Sequence, residues 1–376
     1  MFSLLCCCGL LVLSPVSAWD LSPLLQPAPE VSHVTLFGSR AFLSLSRHDE
    51  QQKYSLVEAT WPERPRPFLS YIRPFPNKEL QMVGNCSHAQ RPVSTDWDGI
   101  SHLVVLDAGW QNTCSPKVLI YHIFTNKQVS LSQDLLVCKL FLCCLQWQIQ
   151  EELQRTQTKS VIREIALQPV RVDFECLSGK LTALVVDTVT LPIGTRAYMG
   201  ETRPGKLAIL DLPTGRWWEV SLSTSPFIPP VTPSSSQLAL SGHHLYLASH
   251  HSDTLFRLNL TDLRSSTPSS SPNNQTVDTK LEGTLLGPPR GLVVDPRGSL
   301  YYCLARDYVC VSWDIHRPLR AESHRVLLQS ADLLPRVHQL FLDLQKQVWA
   351  LTDNNNGSHC VHISRPVLLY PNWDLS

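Results

Sequence analysis

The stretch "RAYMGETRPGKLAILDLPTGRWWEV", residues 196–220, decides the fold. An apolar run from Ala197 to Met199 stops at a carboxylate, Glu201. The polar loop "TRPGK" follows. A second apolar run, Leu207 to Leu210, stops at Asp211, and "LPTG" turns the chain again. The same order recurs along the sequence. "HLVVLDAGWQNTCSPKVLIYHI" begins at His102, "HLYLASHHSDTLFRLNL" at His244, "SLYYCLARDYVCVSWDI" at Ser299 and "VWALTDNNNGSHCVHIS" at Val348; a weaker copy, "AFLSLSRHDEQQKYSLVEA", begins at Ala41. In four of the six copies the two runs start 10 or 11 residues apart, and in the others 13 and 16.

A further run leads into most copies: "VTLFGSR" before Ala41, "LTALVVDTVT" before Arg196, "SQLALSGH" before His244, "GLVVDPRG" before Ser299 and "LFLDLQKQ" before Val348. These runs are short, rich in Val, Ile, Leu and Tyr, and bounded by Gly, Pro, Asn and Asp, which is the chemistry of strands joined by turns. Asp-Pro-Arg-Gly is a tight turn, because Pro fixes φ and Gly accepts φ > 0. Each unit therefore reads as strand, tight turn, strand, loop, strand. Unit starts lie 61, 94, 48, 55 and 49 residues apart. Repeats near 50 residues with several strands each predict blades of a β-propeller. A lone three-stranded sheet leaves both faces wet, whereas blades stacked around an axis bury both. The expected fold class is all-β, a single six-bladed β-propeller over residues 19–376.

Composition sets the other bounds. The chain has 376 residues, with 32 Lys+Arg against 32 Asp+Glu. Zero net charge supplies no field to steer it to nucleic acid or anionic lipid. "MFSLLCCCGLLVLSPVSAWD" has an apolar stretch from Leu4 to Leu13 and small residues, Val16 and Ala18, at the spacing of a signal-peptidase site. Residues 1–18 are expected to be a signal peptide, and the protein to be secreted; the apolar stretch is too short to span a bilayer. Nine cysteines lie beyond it, and in an oxidising compartment some of them pair. Cys86 and Cys114 flank the first strands of the second blade and form the first candidate pair. Cys310 and Cys360, on third strands of neighbouring blades, form the second. No CxxC pair is present, so no structural zinc site is expected. Sequons at Asn85, Asn259, Asn274 and Asn356 agree with secretion.

Two segments depart from the repeat. Residues 130–159 carry a strongly apolar run, Leu135 to Trp147, followed by "QIQEELQR"; this reads as an irregular insertion, either a helical segment packed on the propeller or one without stable structure. Residues 263–280, "LRSSTPSSSPNNQTVDTK", are low in core-forming residues and read as a mobile loop.

At this point the residues resemble a known family. "LVVLDAGWQNTCSPKVLIYHIFTNKQV" is similar to the "LWVLDxG…CPPKLLxFDLxTxxLV" segment of the major royal jelly protein and Yellow family, matching at Leu106, Asp107, Gly109, Cys114, Pro116 and Lys117. Residues 196–220 resemble its "AYIxDxxxxGLIVYDLxxGRSWRV", and "SLYYCLARDYVCVSWDI" and "VWALTDNNN" resemble its last two blades. The resemblance implies secretion, six blades, and roles from pigment chemistry on dopachrome-like intermediates to binding of biogenic amines in the central channel. Asp353 stands where that family has Asn.

The residues themselves favour binding over turnover. Pro289 and Arg290 open the "GLVVD" strand, where calcium-dependent propeller hydrolases need oxygen ligands. Neither G-x-S-x-G nor HExxH occurs. His243/His244 and His250/His251 lie at opposite ends of one strand, about 20 Å apart at ~3.3 Å per residue, and read as surface residues. No cofactor or metal is expected. Ends of second strands and starts of first strands gather at one mouth of a propeller channel. That rule collects Asp107, Glu201, Ser249, Arg306 and Asp353 there, with His338. A ring of carboxylates suits an amine or a protein ligand, with Trp110 adding cation–π attraction. The alternatives are a dopachrome-converting enzyme and a structural extracellular protein.

Overall fold

The computed structural model describes residues 19, 21, 29–47, 51–61, 72–110, 113–128, 171–173, 180–188, 195–224, 231–265, 275–354 and 357–363. The expected signal peptide and the 130–159 insertion lie outside these residues. The local turns explain why the repeat folds as hairpins. Asp295 Oδ1 accepts the N–H groups of Arg297 and Ser299, and Gly298 takes φ +81°, so Asp-Pro-Arg-Gly reverses the chain. Asp98 does the same for Ile100, Ser101 and His102, and Asp343 for Gln347.

The strands fall into six blades. The first blade holds β1 (Val31–Phe37), β2 (Arg40–Leu45), β3 (Leu56–Thr60) and β4 (Arg73–Pro74). The second holds β5 (Pro92–Trp97), β6 (His102–Asp107), β7 (Lys117–His122), β8 (Lys127–Gln128) and β9 (Arg171–Asp173), with β8 and β9 both pairing with β7. The third holds β10 (Leu181–Asp187), β11 (Arg196–Glu201), β12 (Lys206–Asp211) and β13 (Arg216–Thr224). The fourth holds β14 (Gln237–Ser241), β15 (His244–Ser249), β16 (Ser252–Asn259) and β17 (Thr276–Thr284). The fifth holds β18 (Pro289–Val294), β19 (Ser299–Leu304), β20 (Val309–Asp314) and β21 (His324–Gln329). The sixth holds β22 (Val337–Leu342), β23 (Val348–Asn354) and β24 (Gly357–His362). The innermost strands touch in the order β1, β5, β10, β14, β18, β22 and back to β1, which closes the ring. The protein is an all-β six-bladed β-propeller.

Two features go beyond the three-strand unit. Blades one to five carry an additional outer strand. Thr276–Thr284, part of which falls inside the stretch expected to be a mobile loop, is strand β17. Its Val277 and Thr279 are buried, and Ser221–Thr224 of β13 pair with it in parallel, so blades three and four share an eight-stranded sheet. Leu263 of the short helix α1 (Thr261–Ser265) is likewise buried. Residues 266–274 of that stretch are outside the described set.

The core is divided among the blade interfaces. Among the described residues there are six apolar clusters, one between each pair of neighbouring blades. The seam between the last blade and the first is rich in aromatic rings. Trp61 lies edge-on to Phe341 at 5.7 Å and to Trp349 at 5.0 Å, and Trp19 packs on Trp61 while donating Nε1–H to Thr60 O. Near the axis Gln339 acts as a substitute strand: its Oε1 accepts Val34 N–H at 2.7 Å and its Nε2 donates to Val34 O at 3.1 Å. Gln339→Ala removes both partners of a backbone unit enclosed at the seam. It should destabilise the fold by roughly 1–3 kcal/mol, read as a lower urea midpoint at unchanged m-value; an unchanged midpoint would show that the seam does not depend on this amide.

Candidate functional site

The inner strands enclose a central channel of about 410 Å³. Its wall includes His33, Ser94, Thr95, Asp96, Gln237 and His338. The two ends differ in chemistry. At the mouth where inner strands begin, His338 Nε2 is 2.6 Å from Asp353 Oδ2 and 3.2 Å from Glu30 Oε1. Burial works against ionising Asp353, but the hydrogen bond and charge of His338 hold it below the usual carboxylate range. Toward the other end, on β5, Asp96 accepts N–H groups from Val186 at 2.8 Å and Trp97 at 2.9 Å. Enclosure by the channel walls outweighs these two bonds, and Asp98 adds repulsion, so the Asp96 carboxyl is pushed up to about 6. Between the ends, His33 is kept neutral, its pKa lowered to about 3 by burial. Thr95 N–H reaches His33 Nδ1 at 3.3 Å, which leaves Nε2–H facing Ser94 Oγ at 3.2 Å.

The residues expected at one mouth are not one site. Asp107 and Lys117 are fully enclosed and form an ion pair, and Asp107 also accepts the N–H groups of Gln90 and Arg91. The matching Asp and Lys of the sequence motif thus anchor the entry to β5. Trp110 is buried in its own loop, bonded through its N–H to Cys114 O at 3.0 Å, and is not part of the channel wall. Gly109 makes that loop possible: at φ +75° an added Cβ would lie 2.1 Å from Cys114 O. Glu201 is enclosed in the third blade and takes Arg203 at 3.2 Å; Arg203 also pairs with Glu219. Burial first, and Glu219 second, push Glu201 up to about 7. Asp107 and Glu201 thus enter separate local pairings rather than one ring of carboxylates. His338 and Asp353 do meet, and Glu30 joins them.

Cys86 and Cys114 are linked, with Cα atoms 5.1 Å apart, and tie the Trp110 loop to the segment before β5. The Cys310–Cys360 pairing is not formed: Cys310 is bonded to Cys303, its direct partner across β19 and β20, with Cα atoms 4.0 Å apart, and Cys360 is buried on β24. The hairpin "CLARDYVC", which puts the two cysteines opposite each other, was the available signal. His250 is not a surface residue. It lines the channel, bonded to the Gln237 amide, and burial, then Arg290, lower its pKa to about 4. Asn85 and Asn259 are exposed, whereas Asn274 and Asn356 lie outside the described residues. Asp96 and Glu30, which sequence reasoning missed, are in no motif: one follows the strand pattern as a polar residue, and the other precedes the first strand. Among the described residues no helix is long and apolar enough to cross a membrane.

With this geometry in hand, three comparisons bear on identity. The family model described as "Major royal jelly protein" matches residues 153–360, more than half of the chain. No curated protein sequence matches significantly. Among solved structures, a nidogen/laminin complex is similar at 9% identity and TM-score 0.48, over 82% of this chain and 86% of that one. Virginiamycin B lyase from Staphylococcus aureus is similar at 7% identity and TM-score 0.45, over 89% and 84%. The computationally designed Ika8 protein is similar at 9% and 0.40, over 89% and 71%.

The Asp107–Lys117 pair also yields a stability test. Lys117→Met leaves the Asp107 charge enclosed with only backbone donors and should cost about 3–5 kcal/mol, whereas adding Asp107→Asn should return much of it. Thermal melts of the single and double variants measure this; equal losses in both would exclude an uncompensated charge as the cause.

Proposed function

Because the chain belongs to the major royal jelly protein family, we propose that it is a secreted propeller that binds a small organic amine in its central channel, with the ammonium group on Asp96. The observation that carries this reading is the state of Asp96. It is a channel-lining carboxylate whose charge is met only by two neutral N–H groups, so its pKa rises, and a cation placed beside it supplies the missing compensation. Asp353 lacks that need, since His338 already compensates it. Trp97, next to Asp96 on the channel wall, offers an aromatic surface to the ligand's organic part. The neutral His33 adds polar groups without repelling a cation. The volume suits a ligand of a few hundred Å³.

A protein partner at the same rim is the second reading. Phe124 is 67% exposed there and lies edge-on to Phe37 at 5.4 Å, and Phe37 in turn meets Trp97 at 5.4 Å. Exposed aromatic groups of this kind anchor protein interfaces.

Calorimetric titration with tyramine, dopamine, serotonin and histamine tests the amine reading. At pH 7.5 at least one should bind, and Asp96→Asn should weaken it tenfold or more, about 1.4 kcal/mol. Alkylamines of this class stay cationic below pH ~9. Binding should therefore weaken as pH falls through about 6, where Asp96 takes up its proton. Absence of binding by all four amines at millimolar concentration, or an unchanged affinity in Asp96→Asn, would overturn the assignment. The secreted reading is checked by N-terminal sequencing of protein recovered from the medium of expressing cells, which should begin at Trp19.

A further inference from the structure

We propose that Glu30, His338 and Asp353 form a divalent metal site, best matched by zinc, that clips the first blade of the propeller to the last. The site lies at the mouth opposite Asp96 and is independent of the amine reading. Three donor atoms, a Glu30 oxygen, an imidazole nitrogen of His338 and an Asp353 oxygen, lie within 4.8 Å of one another. Donors sharing one zinc ion at ~2.1 Å are about 3–3.4 Å apart. The 3.2 Å separation of His338 Nε2 from Glu30 Oε1 already fits, and the 2.6 Å hydrogen bond to Asp353 opens slightly when an ion replaces its proton.

The donor set itself selects the ion. One imidazole and two carboxylates favour zinc over calcium or magnesium, which take oxygen ligands. Two carboxylates and a neutral histidine also balance a charge of +2. The Asp353 carboxylate is held by hydrogen bonds to His338 and Ser358, which orient this donor at the mouth before an ion arrives. All three side chains are partly exposed at the mouth, and His338 also lines the channel, which leaves an entry path and an open coordination position.

The positions matter as much as the chemistry. Glu30 precedes β1, whereas His338 and Asp353 lie on β22 and β23. His338 and Asp353 share one hairpin, and ring closure brings Glu30 to them from about 300 residues away in the chain, alongside the bond from Val31 N–H to Ser358 Oγ at 2.8 Å. An ion bound here therefore binds the folded state alone and stabilises it by linkage.

Zinc chloride is the probe, added to the tag-free full chain after treatment with chelator. Calorimetry should find one zinc ion per chain, with a melting temperature that rises with zinc concentration. Glu30→Gln and Asp353→Asn should each weaken binding at least tenfold and remove most of the rise. Cobalt substituted for zinc should give visible absorption that is lost in the same variants. If Asp353→Asn does not fold, Glu30→Gln, outside any strand, carries the comparison. Asp96→Asn should bind zinc normally, so loss of amine binding with zinc retained separates the two proposals. No binding at ~1 mM zinc, or an affinity unchanged in Glu30→Gln, would overturn the site; the latter result would place zinc on other histidines.

Discussion

The inner strands of the six blades run side by side without a backbone ladder between them, and at three of the boundaries side chains of a neighbouring blade accept their N–H groups. Ser94 Oγ accepts Leu184 N–H at 3.1 Å and Asp96 accepts Val186 N–H, joining blades two and three. His33 Nδ1 accepts Thr95 N–H, joining blades one and two, and Gln339 serves Val34 across the seam. An enclosed N–H left without an acceptor costs about as much as a lost hydrogen bond. The polar lining of the channel is thus first a condition of ring closure, and only then a surface for a ligand.

That requirement explains why the carboxylates near the axis differ so much in character. Asp107 is held by a lysine and two N–H groups at the entry to its inner strand, and its charge is spent on the fold. Glu201 is drawn into an Arg203–Glu219 network on the third blade. Asp353 shares His338 with Glu30. Asp96 receives neutral donors alone and lies in the channel wall, so it keeps an uncompensated charge. The four acids therefore meet four different sets of partners, and Asp96 alone of the four is met by neutral donors only.

The periphery is stabilised by a different logic. Apolar clusters fill the blade interfaces, and β13 and β17 join blades three and four at their outer edges, which removes two exposed strand edges at once. The Cys86–Cys114 bond and the left-handed Gly109 shape the Trp110 loop, so the most distinctive motif of the sequence packs on its own blade rather than opening toward the channel.

Six blades were legible in the sequence because strand alternation and turn chemistry are local. Every second strand begins within a residue of its expected start, from Arg40 to Val348, since Asp-Pro-Arg-Gly and its counterparts act over four residues. The outer strands were not legible. Residues such as Thr276–Thr284 alternate apolar and polar only weakly and gain their place by pairing with β13, a partner more than 50 residues away. The site followed the same division. Placing Asp353 and His338 at one mouth needed only the strand order. Which carboxylates are neutralised, that Cys310 faces Cys303, and that Glu30 reaches His338 depend on side-chain contacts between segments far apart in the chain, and these exist only once the ring has closed.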